Sequence, residues 1–241
     1  MRKPRIYTSQ DLTIGCQVTL ETQASHHLAT VLRMREKDTI SLFNGSDQIF
    51  DAIIRNINKR RVEVGITKQT HQSIESPLTI HLGIAISKGD RMEMVIQKAT
   101  ELGITSITPL LSERTNVKLN TERQQKKQQQ WQQIAIGACE QCGRNKIPTV
   151  QVLTKFESWL AGCDAEEKFI LHHRTDSQLS EMVKPNSIAL LIGPEGGLSQ
   201  EEIDHAITNG FKALALGPRV LRTETAPLAA ISILQHRWGD M

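Results

Sequence analysis

Hydrophobic and polar positions follow two different patterns along this chain, and the pattern changes near residue 74. The first part predicts strands, because short β-branched runs alternate partly with polar residues and are separated by turn-forming residues. These runs cover residues 38–43, 48–54 and 61–66, with the first turn at 44–47. A short helix that begins at a Ser25 cap is expected before them. The first part therefore predicts a meander or a small barrel.

The second part alternates apolar strands with amphipathic helices. The predicted strands cover residues 78–86, 104–111, 149–153, 168–172, 187–193 and 212–217. The predicted helices include 91–102, 122–142, a helix that starts at the capping box of Ser199 and closes at Gly210, and 225–238. Such alternation is typical of a mostly parallel sheet covered on both faces. We therefore predict an α/β protein with two domains, 1–74 and 75–241, joined within the polar stretch 68–77.

The last predicted helix, 225–238, is apolar on nearly all sides. A helix of this kind must bury its whole surface, either in the core or against another subunit. We favour a contact between two copies of the chain.

The lengths of the apolar runs and the number of cysteines argue against a membrane protein and against a disulfide-stabilised secreted protein. No run approaches the roughly 18 to 20 apolar residues that span a bilayer, and no apolar segment follows the basic start. The 4 cysteines are too few and too irregular for a disulfide framework, which suits a reducing compartment. We therefore expect a cytoplasmic protein with no membrane partner.

The net charge of +3 is modest, but its distribution is uneven. Residues 1–75 carry 11 Lys and Arg against 8 Asp and Glu, whereas residues 76–241 carry 18 of each kind. The excess in the first part suits contacts with the phosphates of a nucleic acid, and an ordinary solvated rim is the alternative. The basic residues concerned are Arg2, Lys3, Arg5, Lys59, Arg60 and Arg61.

The clearest chemical signal is an apolar strand that ends in a glycine turn, at residues 188–202. Ligands of open α/β sheets collect at such strand ends. The turn lacks the Lys and the Ser or Thr of a phosphate-binding loop, and the carboxylate of Glu195 repels phosphate. A cationic cofactor fits better, and S-adenosylmethionine, with its sulfonium, is one. A plain tight turn is the alternative.

Two further strand ends carry polar groups, at residues 171–174 and 214–226. The second leads through glycine and proline into the last helix, so the two Gly-Pro turns can form one pocket. His172 and His173 do not predict a metal site, because neighbouring side chains of a strand point to opposite faces. A lone CxxC at 139–142 in a predicted helix favours packing over zinc or redox chemistry. No metal is predicted.

Several motifs, in order along the chain, carry a family resemblance. They are HLATVLR at 27–33, the FNGS turn at 43–46, KGDRME at 88–93, KATELG at 98–103, ER at 113–114, EQCGR at 140–144, LIGPEGG at 191–197 and LGPRVLRTETA at 216–226. The combination closely resembles the small-subunit ribosomal RNA uridine N3-methyltransferases, the ribosomal RNA small subunit methyltransferase E family of the SPOUT superfamily. The match covers essentially the whole chain.

The resemblance implies a small N-terminal PUA-like β-barrel domain that binds RNA and a C-terminal SPOUT-type methyltransferase domain with a trefoil knot. It also implies a homodimer that transfers a methyl group from S-adenosylmethionine to N3 of a uridine in 16S ribosomal RNA of the small subunit. The residues implied to hold the cofactor are Leu171, His172, Ile192, Gly193, Pro194, Glu195, Gly196, Gly197, Leu216, Gly217, Val220, Leu221 and Arg222. Within the same motifs, Arg33 and Arg144 join the expected RNA contacts.

The reaction implied by the resemblance needs control of charge, because N3 of uridine carries a proton near neutral pH. We expect Arg222 or Arg114 to stabilise a uridinate through its carbonyl oxygens. Glu195, Glu140 or Glu224 is expected to accept the proton or to orient the base. A salt bridge that holds a loop is the alternative role for each of these residues. The target uridine must be flipped out or already unpaired.

Two residues depart from the family pattern: Lys37 stands where glycine is expected before Asp38, and His173 stands where proline is expected. Two other functions stay open at this point. A related SPOUT enzyme could methylate a ribose hydroxyl or a tRNA base with a similar pocket. A non-catalytic RNA-binding assembly factor could keep the fold without the reaction.

Overall fold

The computed structural model describes residues 3–87, 89–115, 120–172, 179 and 182–241 of the chain. Its contacts divide the chain into two compact units. The first unit comprises Met1–Glu75 and Cys139–Ile147, and the second comprises Ser76–Ala138 and Pro148–Met241. A single boundary at residue 74 does not describe this division, because a segment from the middle of the chain packs with the first unit. Arg2, Lys88 and His173 lie outside the described residues.

A five-stranded sheet forms most of the first unit. Its strands are β1 Arg5–Tyr7, β2 Gln17–Thr19, β3 Thr39–Phe43, β4 Gln48–Ile57 and β5 Val62–His71. Their order is β1-β3-β4-β5-β2, in which β1 pairs with β3 in parallel and the other pairs are antiparallel. Alternate side chains are buried together, with Ile40, Ile54 and Val64 fully enclosed. The three predicted strands are confirmed.

The expected linker 68–77 is wrong in its first part. Strand β5 continues to His71, which pairs with Gln48 of β4, while Lys68 pairs with Asp51. Backbone hydrogen bonds to the neighbouring strand stabilise this segment although its side chains are polar and exposed. The sequence pattern does not predict β1 and β2, because three-residue strands leave no readable alternation.

The short helix of the first unit differs from the prediction at its start. Helix α1 covers Thr22–His26 and continues into a π-helical turn, His27–Val31. Ser25 lies inside α1 and is buried, so it does not cap the helix. Its hydroxyl instead donates to the Leu20 carbonyl and accepts from the Val62 amide, each at 3.1 Å. The serine therefore joins the helix to β5.

A buried ion pair fixes the segment 139–147 within the first unit. The guanidinium of Arg144 donates to the Glu75 carboxylate at 2.7 and 2.9 Å, and both side chains are nearly enclosed. The same carboxylate accepts from the Lys146 amide at 3.2 Å. These bonds satisfy polar groups that burial would otherwise leave unpaired.

Parallel strands form the sheet of the second unit. They are β6 Thr79–Ala85, β7 Ser106–Leu111, β8 Thr149–Val150, β9 Thr154–Lys155, β10 Glu167–Leu171, β11 Ser187–Ile192 and β12 Lys212–Leu214. Their order is β12-β10-β11-β6-β7-β8, with β9 also paired to β7, and every pair is parallel. β6 and β11 are apolar and buried along most of their length, as a sheet covered on both faces requires. The predicted α/β class is confirmed.

The remaining helices pack around this sheet or end in the first unit. They are α2 Arg91–Glu101, α3 Thr121–Cys142, α4 Phe156–Ala161, α5 Gln200–Thr208 and α6 Thr225–Trp238. Helix α5 begins with the predicted capping box, in which the Ser199 hydroxyl accepts from the Glu202 amide at 3.3 Å. In the ranges that the structure describes, no helix is long and apolar enough to cross a membrane.

Helix α6 is buried along one side within its own unit. That side includes Leu234 and Gln235, whereas Ile233 is 43% exposed. The Gln235 side chain donates to the Leu102 carbonyl at 3.0 Å and accepts from the Ser76 hydroxyl at 2.7 Å. The helix therefore contributes to the core of a single chain, and the expected contact between two copies stays a prediction.

We expect Arg144→Ala to destabilise the protein by about 3 kcal/mol, because the substitution leaves the Glu75 carboxylate buried without its partner. The double variant Arg144→Met with Glu75→Leu should recover most of this loss, since apolar side chains then replace both charges. Chemical denaturation of the parent and the variants measures the difference in free energy of unfolding. An Arg144→Ala protein as stable as the parent would show that the ion pair is not needed.

Glu21 makes the free energy of unfolding depend on pH. Burial alone would raise the pKa of Glu21, but hydrogen bonds from its own amide, Ser9 and Thr8 outweigh burial and lower it. The stabilisation is therefore fully present above the ordinary glutamate pKa and is lost as the pH falls through the lowered folded-state pKa.

Glu21→Gln should accordingly be less stable than the parent near neutral pH, by up to about 1 kcal/mol after solvent screening, and should match the parent in acid. Thermal unfolding of both proteins across this pH range checks the expectation. A difference in stability that stays constant down to acid pH would contradict it.

Candidate cofactor-binding site

Three parallel strands of the second unit end side by side. β12, β10 and β11 are neighbours in the sheet, and their last residues are Leu214, Leu171 and Ile192. Parallel strands align their carboxyl ends at one edge, so the loops that follow them meet there. A cavity of about 510 Å³ lies at this edge, within the usual size range of small-molecule sites.

All the residues expected to hold the cofactor line this cavity, except Gly196. They are Leu171 and His172 at the end of β10, Ile192, Gly193, Pro194, Glu195 and Gly197 at the end of β11, and Leu216, Gly217, Val220, Leu221 and Arg222 after β12. Lining residues that the sequence analysis did not assign to the cofactor are Arg91, Leu198, Ile203, Leu214, Arg219, Thr223, Glu224 and Ala226. The three loops therefore build one cavity.

The turn after β11 is tight and depends on glycine. A Cβ atom on Gly193 would lie 2.9 Å from Leu198 Cγ and 3.2 Å from the Leu198 amide nitrogen. The Gly197 amide donates to the Pro194 carbonyl at 2.9 Å, and Gly197 has a φ of 69°, a conformation that favours glycine. This part of the cavity wall is therefore made mainly of backbone.

A buried carboxylate joins this turn to the loop that follows β7. Glu202 accepts from the Ser199 amide at 2.9 Å and from the Glu113 amide at 2.8 Å. The neighbouring Arg114 donates to the Gly196 carbonyl at 3.0 Å. Arg114 therefore supports the glycine turn. It is not among the described residues that line the cavity.

Arg91 contacts two carboxylates at the cavity, although the sequence alone did not assign it to the site. Arg91 Nη1 lies 2.9 Å from Glu195 Oε1, and Arg91 Nε lies 3.8 Å from Glu224 Oε2. Arg91 begins α2, which follows β6, and β6 pairs in parallel with β11. The order of the strands in the sheet would predict that Arg91 lies at the cavity, but this order cannot be predicted from the local sequence pattern.

Two arginines of the loop after β12 line the cavity and are exposed: Arg219 and Arg222. Within the described parts of the chain, neither forms an ion pair. The backbone carbonyl of Arg222 accepts from the Thr225 and Ala226 amides, each at 2.9 Å, which fixes its position at the start of α6. A guanidinium without an internal carboxylate partner can stabilise negative charge that develops on a substrate.

Glu140 belongs to the first unit, whereas the residues that line the cavity belong to the second. Glu140 Oε1 accepts from the Tyr7 amide at 3.0 Å. Burial raises the pKa of Glu140, and the Tyr7 amide and the charges of His27 and Arg5 oppose part of this increase. The contact with Tyr7 favours a structural role over the expected catalytic role.

The basic residues expected to bind RNA fall into two groups in the first unit. Arg33, Lys59 and Arg60 are exposed and have no ion pair in the part of the chain that the structure describes, and Arg2 lies outside that part. The others have partners: Lys3 contacts Asp51, Arg61 contacts Glu63, Arg5 contacts the Phe43 ring and Asn145, and Arg144 contacts Glu75. Because its guanidinium is nearly enclosed, Arg144 is better suited to a structural role than to the expected RNA contact.

Metal and thiol chemistry find little support in the described residues. No group of three or more His, Cys, Asp or Glu side chains among them could hold a metal ion. Cys139 is buried, and its thiol donates to the Lys146 carbonyl at 3.7 Å. A hydrogen bond with Cys142 and burial raise the pKa of the Cys139 thiol, which disfavours reactive thiolate.

Known families match both parts of the chain. A family model described as an RNA methyltransferase domain matches residues 74–235, and one described as an RNA methyltransferase PUA domain matches residues 20–67. Ribosomal RNA small subunit methyltransferase E of Buchnera aphidicola is 41% identical, over 100% of this chain and 98% of that protein.

Two solved structures with a bound cofactor are also similar. A methyltransferase of Legionella pneumophila in complex with S-adenosylmethionine is 45% identical over 100% of both chains, with a TM-score of 0.97. Ribosomal RNA small subunit methyltransferase E of Neisseria gonorrhoeae, bound to S-adenosylmethionine, is 39% identical over 99% of both chains, with a TM-score of 0.93. With a methyltransferase domain preceded by a PUA domain, and with this identity along its length, the chain belongs to the ribosomal RNA small subunit methyltransferase E family.

Proposed function

We propose that this protein transfers the methyl group of S-adenosylmethionine to N3 of a uridine in 16S ribosomal RNA of the small ribosomal subunit. The observation that carries the proposal is the meeting of three loops, after β10, β11 and β12, at one cavity. The two similar structures contain S-adenosylmethionine, which supports the choice of cofactor. Membership in the family supports ribosomal RNA as the substrate.

The residues of the cavity fit this cofactor. Leu216, Val220 and Leu221 supply apolar surface, and the tight turn at Gly193 supplies backbone that a larger residue would displace. Glu195 supplies a carboxylate, which suits a cation better than a phosphate. When bound, S-adenosylmethionine supplies a methyl group activated by its sulfonium.

Methylation at N3 requires that N3 lose its proton, which leaves negative charge on the uridine ring. Arg222 is suited to stabilise this charge, because its exposed guanidinium borders the cavity. Glu195 or Glu224 is suited to accept the proton or to orient the base, and Arg91 restrains both carboxylates. Alignment of the two reactants in the cavity contributes the remaining acceleration.

In this proposal, Arg114 and Glu140 have structural roles and take no direct part in the reaction. Arg114 holds the Gly196 carbonyl, so it maintains the turn that forms one wall of the cavity. Glu140 holds the Tyr7 amide in the first unit.

The family resemblance also supports a homodimer, a trefoil knot in the methyltransferase domain and a cytoplasmic location. The partly exposed Ile233 of α6 is a candidate contact between two copies. In the first unit, the proposed RNA contacts are the exposed Lys3, Arg33, Arg60 and Arg61. Their charges would contribute attraction to phosphates that weakens as salt increases.

Purified protein incubated with labelled S-adenosylmethionine and unmethylated small ribosomal subunits should produce 3-methyluridine. Digestion of the RNA followed by nucleoside analysis identifies the product. Label on a ribose or on another base would support RNA methyltransferase activity but reject specificity for N3 of uridine. Binding of RNA without any transfer of label would favour a non-catalytic assembly factor.

Arg222→Ala should lower kcat by about 100-fold, a larger effect than its effect on the affinity for S-adenosylmethionine, because the lost charge acts on the transition state. Arg222→Lys should retain part of the activity, since it keeps the charge without the planar geometry. Arg123→Ala, which removes an exposed arginine of α3, is the control. Single-turnover rates and calorimetric binding of the cofactor separate the two effects. Unchanged kcat in Arg222→Ala would remove this residue from the mechanism.

A further inference from the structure

Two carboxylates line the cavity, and Arg91 binds them unequally. Arg91 Nη1 donates to Glu195 Oε1 at 2.9 Å, so this contact is a hydrogen bond as well as an ion pair. Arg91 Nε lies 3.8 Å from Glu224 Oε2, which allows attraction between the charges but is too long for a hydrogen bond. Arg91 therefore occupies one oxygen of Glu195 and neither oxygen of Glu224.

Glu224 does not use its carboxylate to cap the helix that it precedes. It has the N-cap position of α6, where a side-chain oxygen usually accepts from one of the first helical amides. That hydrogen bond is not formed here, and the Thr225 and Ala226 amides donate to the Arg222 carbonyl instead, each at 2.9 Å. Among the residues that the structure describes, none donates a hydrogen bond to the Glu224 carboxylate. Its oxygens can therefore accept from a ligand.

Glu224 is also the more enclosed of the two carboxylates. Its side chain is 18% exposed, whereas that of Glu195 is 36% exposed. Water competes less for the lone pairs of an enclosed carboxylate, so a hydrogen bond from a ligand in the cavity is stronger at Glu224.

The segment that carries Glu224 matches the edge of a uridine. N3–H of uridine lies between two carbonyl groups, so this edge presents a donor beside an acceptor. Arg222 supplies a donor and Glu224 supplies an acceptor, and both line the cavity from positions two residues apart, on either side of the buried Thr223. A uridine whose carbonyl oxygen contacts Arg222 therefore brings its N3–H towards Glu224.

The other titratable groups at the cavity are less suited to accept this proton. They are His172, Glu195 and three arginines, Arg91, Arg219 and Arg222. An arginine stays protonated, so it cannot act as the acceptor. Glu195 is bound to Arg91, and His172 follows β10 rather than lying on the segment that carries Arg222.

We propose that Glu224 is the proton acceptor of the methyl transfer. Its carboxylate takes the proton of N3, and the electron pair left on N3 forms the bond to the methyl carbon. The bond between that carbon and sulfur breaks, so the sulfonium becomes the neutral thioether of S-adenosylhomocysteine. Glu224 then releases the proton to solvent, to which its side chain is partly exposed. The inference rests on the proposed function, which makes N3 of uridine the acceptor of the methyl group.

Glu224→Gln removes the acceptor and keeps the shape of the side chain. Single-turnover methylation of unmethylated small ribosomal subunits should slow by about 100-fold. Because the proton must then leave to hydroxide, the remaining rate should rise in proportion to hydroxide concentration. Glu224→Asp keeps a carboxylate on a shorter side chain, so it should lose rate but keep the pH profile of the parent. Thermal unfolding shows whether each variant is folded.

The acidity of the substrate distinguishes a proton acceptor from a structural carboxylate. Small subunits assembled with 5-fluorouridine have a more acidic N3–H, so their methylation depends less on a base. On this substrate, the rate of Glu224→Gln relative to the parent should increase by about tenfold. Glu195→Gln should show no such increase. Glu157→Gln, which removes an exposed carboxylate of α4, is the matched control and should have the rates of the parent on both substrates.

The proposal is overturned if Glu224→Gln keeps the single-turnover rate of the parent, or if its rate falls without recovery on 5-fluorouridine. Recovery in Glu195→Gln or His172→Asn, but not in Glu224→Gln, would assign the proton to that other residue and would also overturn it. A parent protein that forms no 3-methyluridine would reject the proposed function, and this inference with it. Formation of 3-methyluridine by the parent and by Glu224→Gln at equal rates would reject this inference alone.

Discussion

The parallel alignment of β10 between β11 and β12 is the constraint on which the candidate site depends. Phe169 of β10 pairs with Leu190 on one side and with Lys212 on the other, so the register of all three strands is fixed together. Because the register determines where each following loop begins, His172, the glycine turn and Arg222 reach one cavity. A change of register in any of these strands would separate the walls of the cavity.

The shape of the loops depends on a small number of polar contacts around the cavity. One oxygen of Glu202 completes the capping box of α5 by accepting from the Ser199 amide, and its other oxygen accepts from the loop that carries Arg114. Arg114 in turn holds the glycine turn at Gly196. On the other side, Arg91 joins Glu195 to Glu224. Apart from the local capping contact, each of these contacts joins segments that are distant in sequence, so loops that are individually irregular have a defined arrangement.

Local patterns predicted what is determined locally. The capping box of α5 and the apolar strand β11 are confirmed because their signals lie within a few neighbouring residues. The prediction that Ser25 caps the helix is wrong, because its hydroxyl bonds to Leu20 and Val62, whose positions depend on tertiary packing. The segment 139–147 and Arg91 were missed for a related reason: their contacts depend on strand order and on residues far along the chain. The cavity itself was anticipated because Gly-Pro turns mark the ends of its strands.

The pairing of β6 with β11 has a consequence for how the protein folds. Thr79 pairs with Ser187, so this part of the sheet closes a very long stretch of chain. Such closure is entropically unfavourable and slows folding, and the edge that contains the cavity can form only with β11 in place. A ligand that binds the completed edge, but not the open chain, stabilises the folded state by mass action. Cofactor bound at this edge therefore offsets part of the entropic disadvantage of closing this long stretch of chain.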